Sequence, residues 1–137
     1  MNDCLFCEFT LDSSRIQTVY ENEHVLAFLD ANPVNPGHTL LVPKNHSRNM
    51  LEISKEDACT LAQAIPFVGR GVKEGMKADG INIHINNEGA AGQVIFHTHV
   101  HIIPRFSTDE IKMWKGKPYK EGEAEQVLKK ITDVLKA

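Results

Sequence analysis

Three histidines alternate with other residues in the segment 97–101 (HTHVH), and this alternation constrains the fold of the chain most strongly. In a β-strand, side chains two residues apart point to the same face, so the three imidazole rings would project together, about 6.6 Å from one another. Thr98, Val100 and Ile102 would face the other way and form a mostly apolar surface for a helix. Rings this close need hydrogen-bond partners and titrate as a group. The segment therefore predicts a strand with chemistry on one face and core on the other.

The whole sequence shows five short strand patterns, one of which contains the triad segment, and two helical patterns. The strand patterns cover residues 19–21, 24–30, 38–43, 81–86 and 94–103. The longer helical pattern begins at the capping pair Ser54 and Asp57 and stops at residues 79–80, and Pro66 predicts a kink or a local break inside it. A second amphipathic helix is predicted over 121–136. Because most strand connections are short and helices do not alternate strictly with strands, the pattern favours an antiparallel α+β sheet.

Composition narrows the class of protein. The length of 137 residues predicts one domain over residues 1–137. The formal net charge of −3 leaves no basic surface for nucleic acid, and no apolar stretch approaches the about 18 residues that a membrane span needs. The N-terminus lacks the pattern of an export signal, and three cysteines are a poor basis for a disulfide framework. We therefore expect a cytoplasmic protein with no nucleic-acid or membrane partner.

Two sets of residues can hold a metal ion. Cys4 and Cys7 form a C-x2-C pair, which is compatible with zinc, with a redox dithiol, or with two reduced surface thiols. A redox pair usually opens a helix inside a βαβ unit, whereas this pair lies at the N-terminus. The three same-face histidines form the second set, since imidazole binds transition metals well. These alternatives stay open from the residues alone.

Three blocks of the sequence resemble the histidine triad (HIT) family. Residues 96–103 (FHTHVHII) are similar to its His-x-His-x-His-x-x signature, in which x is apolar. Residues 28–30 (FLD) followed by 37–46 (GHTLLVPKNH) resemble its first half-site, and 87–93 (NEGAAGQ) resembles its phosphate loop. The resemblance covers the chain from about Cys4 to Arg105. It implies a HIT-like α+β fold, with a five-stranded antiparallel sheet, one long helix, a C-terminal helix, and a homodimer.

The resemblance also implies covalent nucleotide chemistry. His99, the middle triad histidine, matches the nucleophile that attacks the α-phosphorus of a nucleotide. A neutral imidazole suits this role, because it is nucleophilic near neutral pH and later leaves readily from phosphorus. His101 matches the residue that contacts the phosphate and helps protonate the leaving group, and His38 matches a fourth histidine that orients the rings. Asp30 matches the carboxylate that accepts hydrogen bonds from the ribose hydroxyls.

Further site residues follow from the same resemblance. Asn87 matches a position that hydrogen-bonds phosphate or sugar, and Gln93 matches one that contacts the phosphate or the leaving group. Val94 stands where many relatives carry Ser or Thr. Members of bacterial type that begin with C-x2-C bind zinc in a closed structural site. Carried over to this chain, the zinc ligands are Cys4, Cys7, His46 and His97.

The resemblance thus implies a hydrolase or nucleotidyl transferase that acts at the α-phosphate of purine nucleotide conjugates. Nucleoside phosphoramidates and dinucleoside polyphosphates are the two substrate classes that it leaves open. One alternative is a non-catalytic nucleotide-binding or adaptor protein that keeps the pocket. Another is a metal-dependent hydrolase with His97, His99 and His101 as ligands, although the next acidic residue after these histidines is Asp109.

Overall fold

The computed structural model describes residues 3–136 and contains a five-stranded antiparallel sheet in the order β1-β2-β3-β5-β4. The strands are β1 (Thr18–Glu21), β2 (Val25–Leu29), β3 (Thr39–Pro43), β4 (Gly80–His84) and β5 (Val100–Arg105). The helices are α1 (Leu5–Leu11), α2 (Lys55–Gly75) and α3 (Glu123–Leu135). The predicted α+β class, with its antiparallel sheet, long helix and C-terminal helix, is confirmed.

The long helix α2 begins as the sequence predicted, because the Ser54 hydroxyl accepts a hydrogen bond from a backbone N–H of the first turn. The helix continues through Pro66, so the predicted break is absent. Proline deprives the carbonyl of Ala62 of its helical partner, and both residues are exposed, which lets water bond that carbonyl instead. The helix ends at Gly75, earlier than predicted.

One face of the sheet is covered by α2. Its buried side chains pack on alternate residues of the three central strands, and this core comprises Leu61, Ala64, Val68, Val72, Val25, Ala27, Leu41, Val100 and Ile102. The prediction that Val100 and Ile102 pack under a helix is therefore confirmed. The intervening His101 of β5 faces the other side of the sheet, because successive side chains of a strand alternate.

The opposite face is covered in part by α1, a helix that the sequence did not predict. Its seven residues are too few to show a helical period. Phe6 and Phe9 pack against the second apolar set of β2 and β3, which comprises Leu26, Phe28, Leu40 and Val42. Strand β2 is thus buried on both faces, and the rings of the triad segment lie on the same side of the sheet as α1.

The strand β5 begins at Val100, whereas the sequence predicted a strand over 94–103. His97 and His99 therefore precede the strand. The chain before Val100 bonds to the loop after β3 instead of to a neighbouring strand, and the Thr98 N–H donates to a carbonyl of that loop at 2.9 Å. Side-chain bonds, described below, hold the histidines of this irregular segment.

The third helix, α3, agrees with the second predicted helix. None of its described residues is buried, and Leu128, Ile131 and Leu135 on its apolar side are exposed. Across residues 3–136, we find no helix with both the length and the apolar character that crossing a membrane requires.

The connection between β4 and β5 is fastened to the chain after β3 by a hydrogen-bond network, here called the loop clamp, which comprises Arg48, Asn49, Met50, Asn87, Glu88 and Gln93. Arg48 donates two hydrogen bonds to the Glu88 carboxylate, at 2.9 and 2.7 Å, and its guanidinium carbon lies 4.4 Å from the centre of the Phe96 ring. The Asn49 amide donates a third hydrogen bond to Glu88 at 2.9 Å. These bonds hold Glu88 at a φ of 74°, which is unfavourable for a residue with a side chain.

Gln93 is the buried centre of the loop clamp. Its side-chain oxygen accepts hydrogen bonds from the Glu88 N–H at 2.8 Å and from the Asn49 amide at 3.2 Å. Its side-chain nitrogen donates to the carbonyls of Arg48 at 2.7 Å and Ile95 at 3.1 Å. Because a buried amide with four partners has one favourable orientation, Gln93 fixes the shape of this loop.

We expect the free energy of unfolding to fall at acid pH in part because Glu88 of the loop clamp becomes protonated. The hydrogen bonds from Arg48, and then from Asn49, lower the pKa of Glu88 from 4.5 to about 2. A carboxyl whose pKa is lower in the folded state stabilises it above the unfolded pKa, and the contribution is lost as pH falls from about 4.5 towards 2. The free energy of unfolding of wild type minus that of Glu88→Gln should therefore shrink over this range.

Denaturant unfolding at a series of pH values measures this difference. Glu125→Gln, which removes an exposed carboxyl on α3 outside the loop clamp, is the matched control. A difference between wild type and Glu88→Gln that stays constant from pH 7 to pH 2 would contradict the prediction.

Candidate active site and metal centre

A cavity of about 690 Å³ opens on the α1 side of the sheet. One wall is aromatic, and the edge carries a carboxylate and two imidazoles: Phe6, Phe9, Phe28, Asp30, His99 and His101. An apolar cavity of this size with a few converging polar groups is typical of a site for a small molecule.

The ring of His99 is held in one tautomer. It is buried, and its Nδ1 lies 2.7 Å from the carbonyl oxygen of His97. A carbonyl only accepts hydrogen bonds, so Nδ1 carries the proton and the neutral ring keeps its lone pair on Nε2. Burial lowers the pKa of His99, and the bond to the carbonyl opposes this in part. The cavity edge therefore carries a neutral imidazole whose Nε2 is not protonated.

A chain of hydrogen bonds sets the tautomer of His101. The Val34 N–H donates to Nδ1 of His38 at 3.1 Å, so a neutral His38 carries its proton on Nε2. That proton is donated to Nδ1 of His101 at 2.9 Å. A neutral His101 therefore carries its own proton on Nε2. Burial, followed by the adjacent rings of His99, His84 and His38, lowers the pKa of His101 to about 4.

His84 of β4 belongs to the same cluster, and sequence reasoning missed it. It pairs with His101 across the strand ladder, and the two rings stack with centroids 4.7 Å apart and planes 16° apart. Burial lowers the pKa of His84. A histidine inside the predicted strand 81–86 is visible in the sequence, but only the pairing of β4 with β5 shows that it lies beside His101.

Asp30 follows directly after β2. One carboxylate oxygen accepts a hydrogen bond from the Asn32 N–H at 2.8 Å, which shapes the turn, and the other lies 3.6 Å from Nε2 of His38. The carboxylate is only half-buried and borders the cavity. The structure therefore brings Asp30 together with His38, His99 and His101, and the roles predicted for these four stay predictions.

The predicted phosphate-binding amides Asn87 and Gln93 belong to the loop clamp and are not among the residues that line the cavity. The side-chain oxygen of Asn87 accepts a backbone hydrogen bond within the clamp at 2.9 Å. The same loop contributes Gly92 and the exposed Val94 to the cavity wall. Asn86, which sequence reasoning passed over, places its amide beside Gly92. Phosphate contacts of Asn87 and Gln93 stay predictions.

Four metal-binding atoms converge at one end of α1. Sγ of Cys4 and Cys7 and Nδ1 of His46 and His97 all lie within 4.8 Å of one another. The two nitrogens are 3.3 Å apart, and three sulfur–nitrogen distances are 3.3–3.4 Å. Tetrahedral zinc, with bonds of about 2.3 Å to sulfur and 2.0–2.1 Å to nitrogen, places neighbouring ligand atoms about 3.3–3.8 Å apart. The four residues thus fit a closed Cys₂His₂ site.

His97 is oriented for this site by a main-chain carbonyl. Its Nε2 lies 2.7 Å from the oxygen of Pro43, so Nε2 carries the proton and the lone pair of Nδ1 faces the thiols. The ring is fully buried, and burial lowers its pKa, which favours the neutral form that binds metal.

The three triad histidines therefore divide between two sites. Within residues 3–136, the clusters that can hold a metal are the Cys₂His₂ group and a second group of Asp30, His38 and His101. Neither includes His99, so the described structure does not form the predicted alternative in which all three triad rings bind one catalytic metal.

Comparison with known proteins agrees with this geometry. A sequence profile described as HIT domain matches residues 13–108. A HIT-like protein of Saccharolobus solfataricus is 43% identical over 136 residues, which is 97% of this chain and 98% of the archaeal one. An adenylylsulfatase of Arabidopsis thaliana is 38% identical over 108 residues, which is 79% of this chain and 55% of the plant protein.

Solved structures match along nearly the whole chain. A protein of Streptococcus mutans superposes with a TM-score of 0.92 at 42% identity, covering 98% of this chain and 87% of its own. A zinc-bound histidine triad family protein of Mycobacterium smegmatis superposes with a TM-score of 0.75 at 31% identity, covering 96% of this chain and 97% of its own. The profile matches most of this chain, and the relative from Saccharolobus solfataricus is similar over nearly its full length. The chain therefore belongs to the HIT family.

Proposed function

We propose that the protein hydrolyses purine nucleotide conjugates at the α-phosphate through a covalent intermediate on His99. One observation carries this proposal: the His97 carbonyl holds the proton of His99 on Nδ1, which leaves a lone pair on Nε2 of a ring at the cavity edge. A neutral imidazole in this state is a nucleophile at neutral pH.

The reaction has two steps. In the first, the Nε2 lone pair of His99 forms a bond to the α-phosphorus, while the bond from phosphorus to the leaving group breaks and the leaving group departs with that electron pair; an amine leaving group also takes up a proton from water. In the second, water bonds to the phosphorus, the nitrogen–phosphorus bond breaks, its electron pair returns to Nε2, and the attacking water releases a proton to bulk water, which balances the one taken up by an amine. The products are a nucleoside monophosphate and the leaving group, and His99 regains its starting state.

His101 supports both steps as a hydrogen-bond donor. Its Nδ1 accepts the proton of His38, so its Nε2–H is available to a phosphate oxygen or to the leaving atom. The low pKa of His101 in the free protein keeps this ring neutral above about pH 5. A donor fixed in advance in a buried site stabilises developing negative charge without reorganisation.

The nucleoside occupies the cavity in this proposal. The aromatic wall of Phe6, Phe9 and Phe28 offers apolar surface to a purine base, and ring stacking favours such a ligand. Asp30 lies at the edge with one oxygen 3.6 Å from Nε2 of His38, and a carboxylate there can accept hydrogen bonds from ribose hydroxyls.

The leaving group defines three candidate substrate classes. Nucleoside phosphoramidates lose an amine, and dinucleoside polyphosphates lose a phosphate chain. The plant relative is named an adenylylsulfatase, which adds adenylyl sulfate. All three share a nucleotidyl group that His99 would accept. Turnover assays on one substrate of each class distinguish them, and binding of AMP without turnover of any of the three would favour the non-catalytic binding or adaptor alternative.

A zinc ion at Cys4, Cys7, His46 and His97 completes the proposal. The ligand geometry and the zinc-bound relative from Mycobacterium smegmatis support it. When bound, zinc supplies a structural cross-link with no open position for water. The four side chains hold it, and the chemistry of His99 proceeds in the adjacent cavity.

The assembly and the environment are also part of the proposal. We propose a homodimer in the cytoplasm, with a purine nucleotide as the small-molecule partner and neither nucleic acid nor membrane as a partner. The edge strand β4, with the half-exposed Ile83, and the exposed Trp114 provide apolar surface for a second copy. The proposed zinc site needs Cys4 and Cys7 as reduced thiols, which a reducing compartment maintains.

Replacing the nucleophile should abolish turnover and leave binding intact. We expect His99→Ala to lower kcat by about 10⁴-fold or more, because the variant lacks the imidazole that accepts the nucleotidyl group in this mechanism. AMP affinity, measured by calorimetry, should stay measurable. His24→Ala, at an exposed histidine, is the control and should retain full turnover. Near wild-type turnover by His99→Ala would exclude the covalent mechanism.

Ribose recognition gives a second prediction. If Asp30 accepts the ribose hydroxyls, AMP should bind more tightly than its 2′-deoxy analogue by about 1–3 kcal/mol, because the carboxylate would otherwise stay unpaired. Asp30→Ala should remove this preference, while Asp133→Ala on the exposed face of α3 should keep it. Equal affinities of the two sugars for wild type would remove Asp30 from the site.

The zinc site gives a third prediction. Purified protein should contain close to one zinc per chain, and the double variant Cys4→Ser with Cys7→Ser should lose the zinc and melt at a lower temperature, since metal binding is linked to folding. Cys59→Ser, at the exposed cysteine of α2, should keep both zinc and melting temperature. Native protein without zinc by metal analysis would refute the site.

A further inference from the structure

The helix α1 lies between the metal group and the cavity and contributes to both. Cys4 caps its N-terminus, Cys7 lies in its first turns, and both thiols belong to the metal group. Phe6 and Phe9 of the same helix line the cavity. Two sites with separate sets of donor atoms therefore share one short wall.

Phe6 is a side-chain link between the two sites, in addition to the main-chain hydrogen bond from the ring of His99 to the carbonyl of His97. Its ring is only 4% exposed and lies edge-on to rings from both. The centroid distances are 6.0 Å to His97 of the metal group, 5.2 Å to His99, and 5.4 Å to Phe28 across the cavity wall. Edge-to-face contacts in a close-packed interior have a preferred geometry, so a displacement of Phe6 disturbs both sites.

The helix α1 depends on these contacts for its position. It has seven residues, and isolated helices shorter than about 12–15 residues are marginal in water. Its contacts with the sheet and the triad segment include the packing of Phe6 and Phe9 and the contacts of the two thiols. On its outer side, Glu8 and Phe9 contact Arg15 of the following turn. Metal–thiolate bonds at both ends of the first turn would replace weak sulfur contacts of 3.3–3.4 Å with strong ones.

We infer that metal binding at the Cys₂His₂ group and nucleotide binding in the cavity are thermodynamically coupled, and that Phe6 is the positioning residue that carries the coupling. The metal holds α1 where Phe6 and Phe9 complete the cavity wall. A bound nucleotide packs on that wall and in turn holds the helix that carries both thiolates. The inference rests on the proposed function for the identity of the ligand, and it concerns binding rather than the chemical steps.

Coupling of this kind is reciprocal, because the two binding free energies share one linkage term. We expect removal of zinc to weaken AMP binding by about 10-fold, and saturating AMP to tighten zinc binding by the same factor. A zinc that only stabilised the fold would keep the same affinity with and without AMP in a fully folded protein.

The first measurement uses the zinc-loaded wild-type protein. Competition with a chromogenic chelator gives the zinc affinity with and without saturating AMP, under conditions in which the protein stays folded, and calorimetry gives the AMP affinity of loaded protein. An increase in zinc affinity on addition of AMP supports the inference. Unchanged zinc affinity under these conditions overturns it.

The second measurement compares two Phe→Leu variants. Phe6→Leu should keep close to one zinc per chain, but its coupling factor should fall towards one. Phe67→Leu, at a phenylalanine 57% exposed on α2, should keep the wild-type factor. A full coupling factor in Phe6→Leu would overturn the role of Phe6. Absence of AMP binding to loaded wild type would refute the proposed function, whereas equal AMP affinity with and without zinc would refute this inference alone.

Discussion

Two hydrogen bonds from buried imidazoles to main-chain carbonyls determine what the triad segment can do. The ring of His97 donates from Nε2 to the oxygen of Pro43, and the ring of His99 donates from Nδ1 to the oxygen of His97. The opposite nitrogen is therefore left unprotonated in each ring. One lone pair faces two thiols, and the other belongs to a ring at the cavity edge. The main chain thus gives two histidines of one segment different chemistry.

The unequal covering of the sheet makes room for both sites. The 21-residue helix α2 covers one face and forms one core cluster with it, whereas the seven-residue helix α1 covers only part of the other face. The uncovered part is the cavity. Site residues reach it from the end of β2, from the start of β3 and from both sides of the start of β5. The loop clamp closes one end, because its buried amides fix the backbone beside the cavity.

Periodicity and resemblance predicted much of this structure. Alternation placed Val100 and Ile102 under a helix, and the resemblance named the four side chains that meet in the metal group. The missed elements depend on non-local contacts. Helix α1 is too short to show a clear helical pattern of apolar residues, and its packing against the sheet holds it in place. The extended chain through His97 bonds to a loop, so it is no strand. The stacking of His84 on His101 follows from strand order, which no local pattern encodes.

The hydrogen bonds that run from His101 through His38 end at the main-chain N–H of Val34, and this limits proton transfer along them. A main-chain N–H does not give up its proton near neutral pH, so His38 and His101 orient each other without relaying protons through Val34. Protons of the reaction then exchange at the cavity edge, where Asp30 and His101 lie. The opening that admits the nucleotide is then also the route to bulk water. A product that dissociates slowly from it would slow both the exchange of ligand and the exchange of protons.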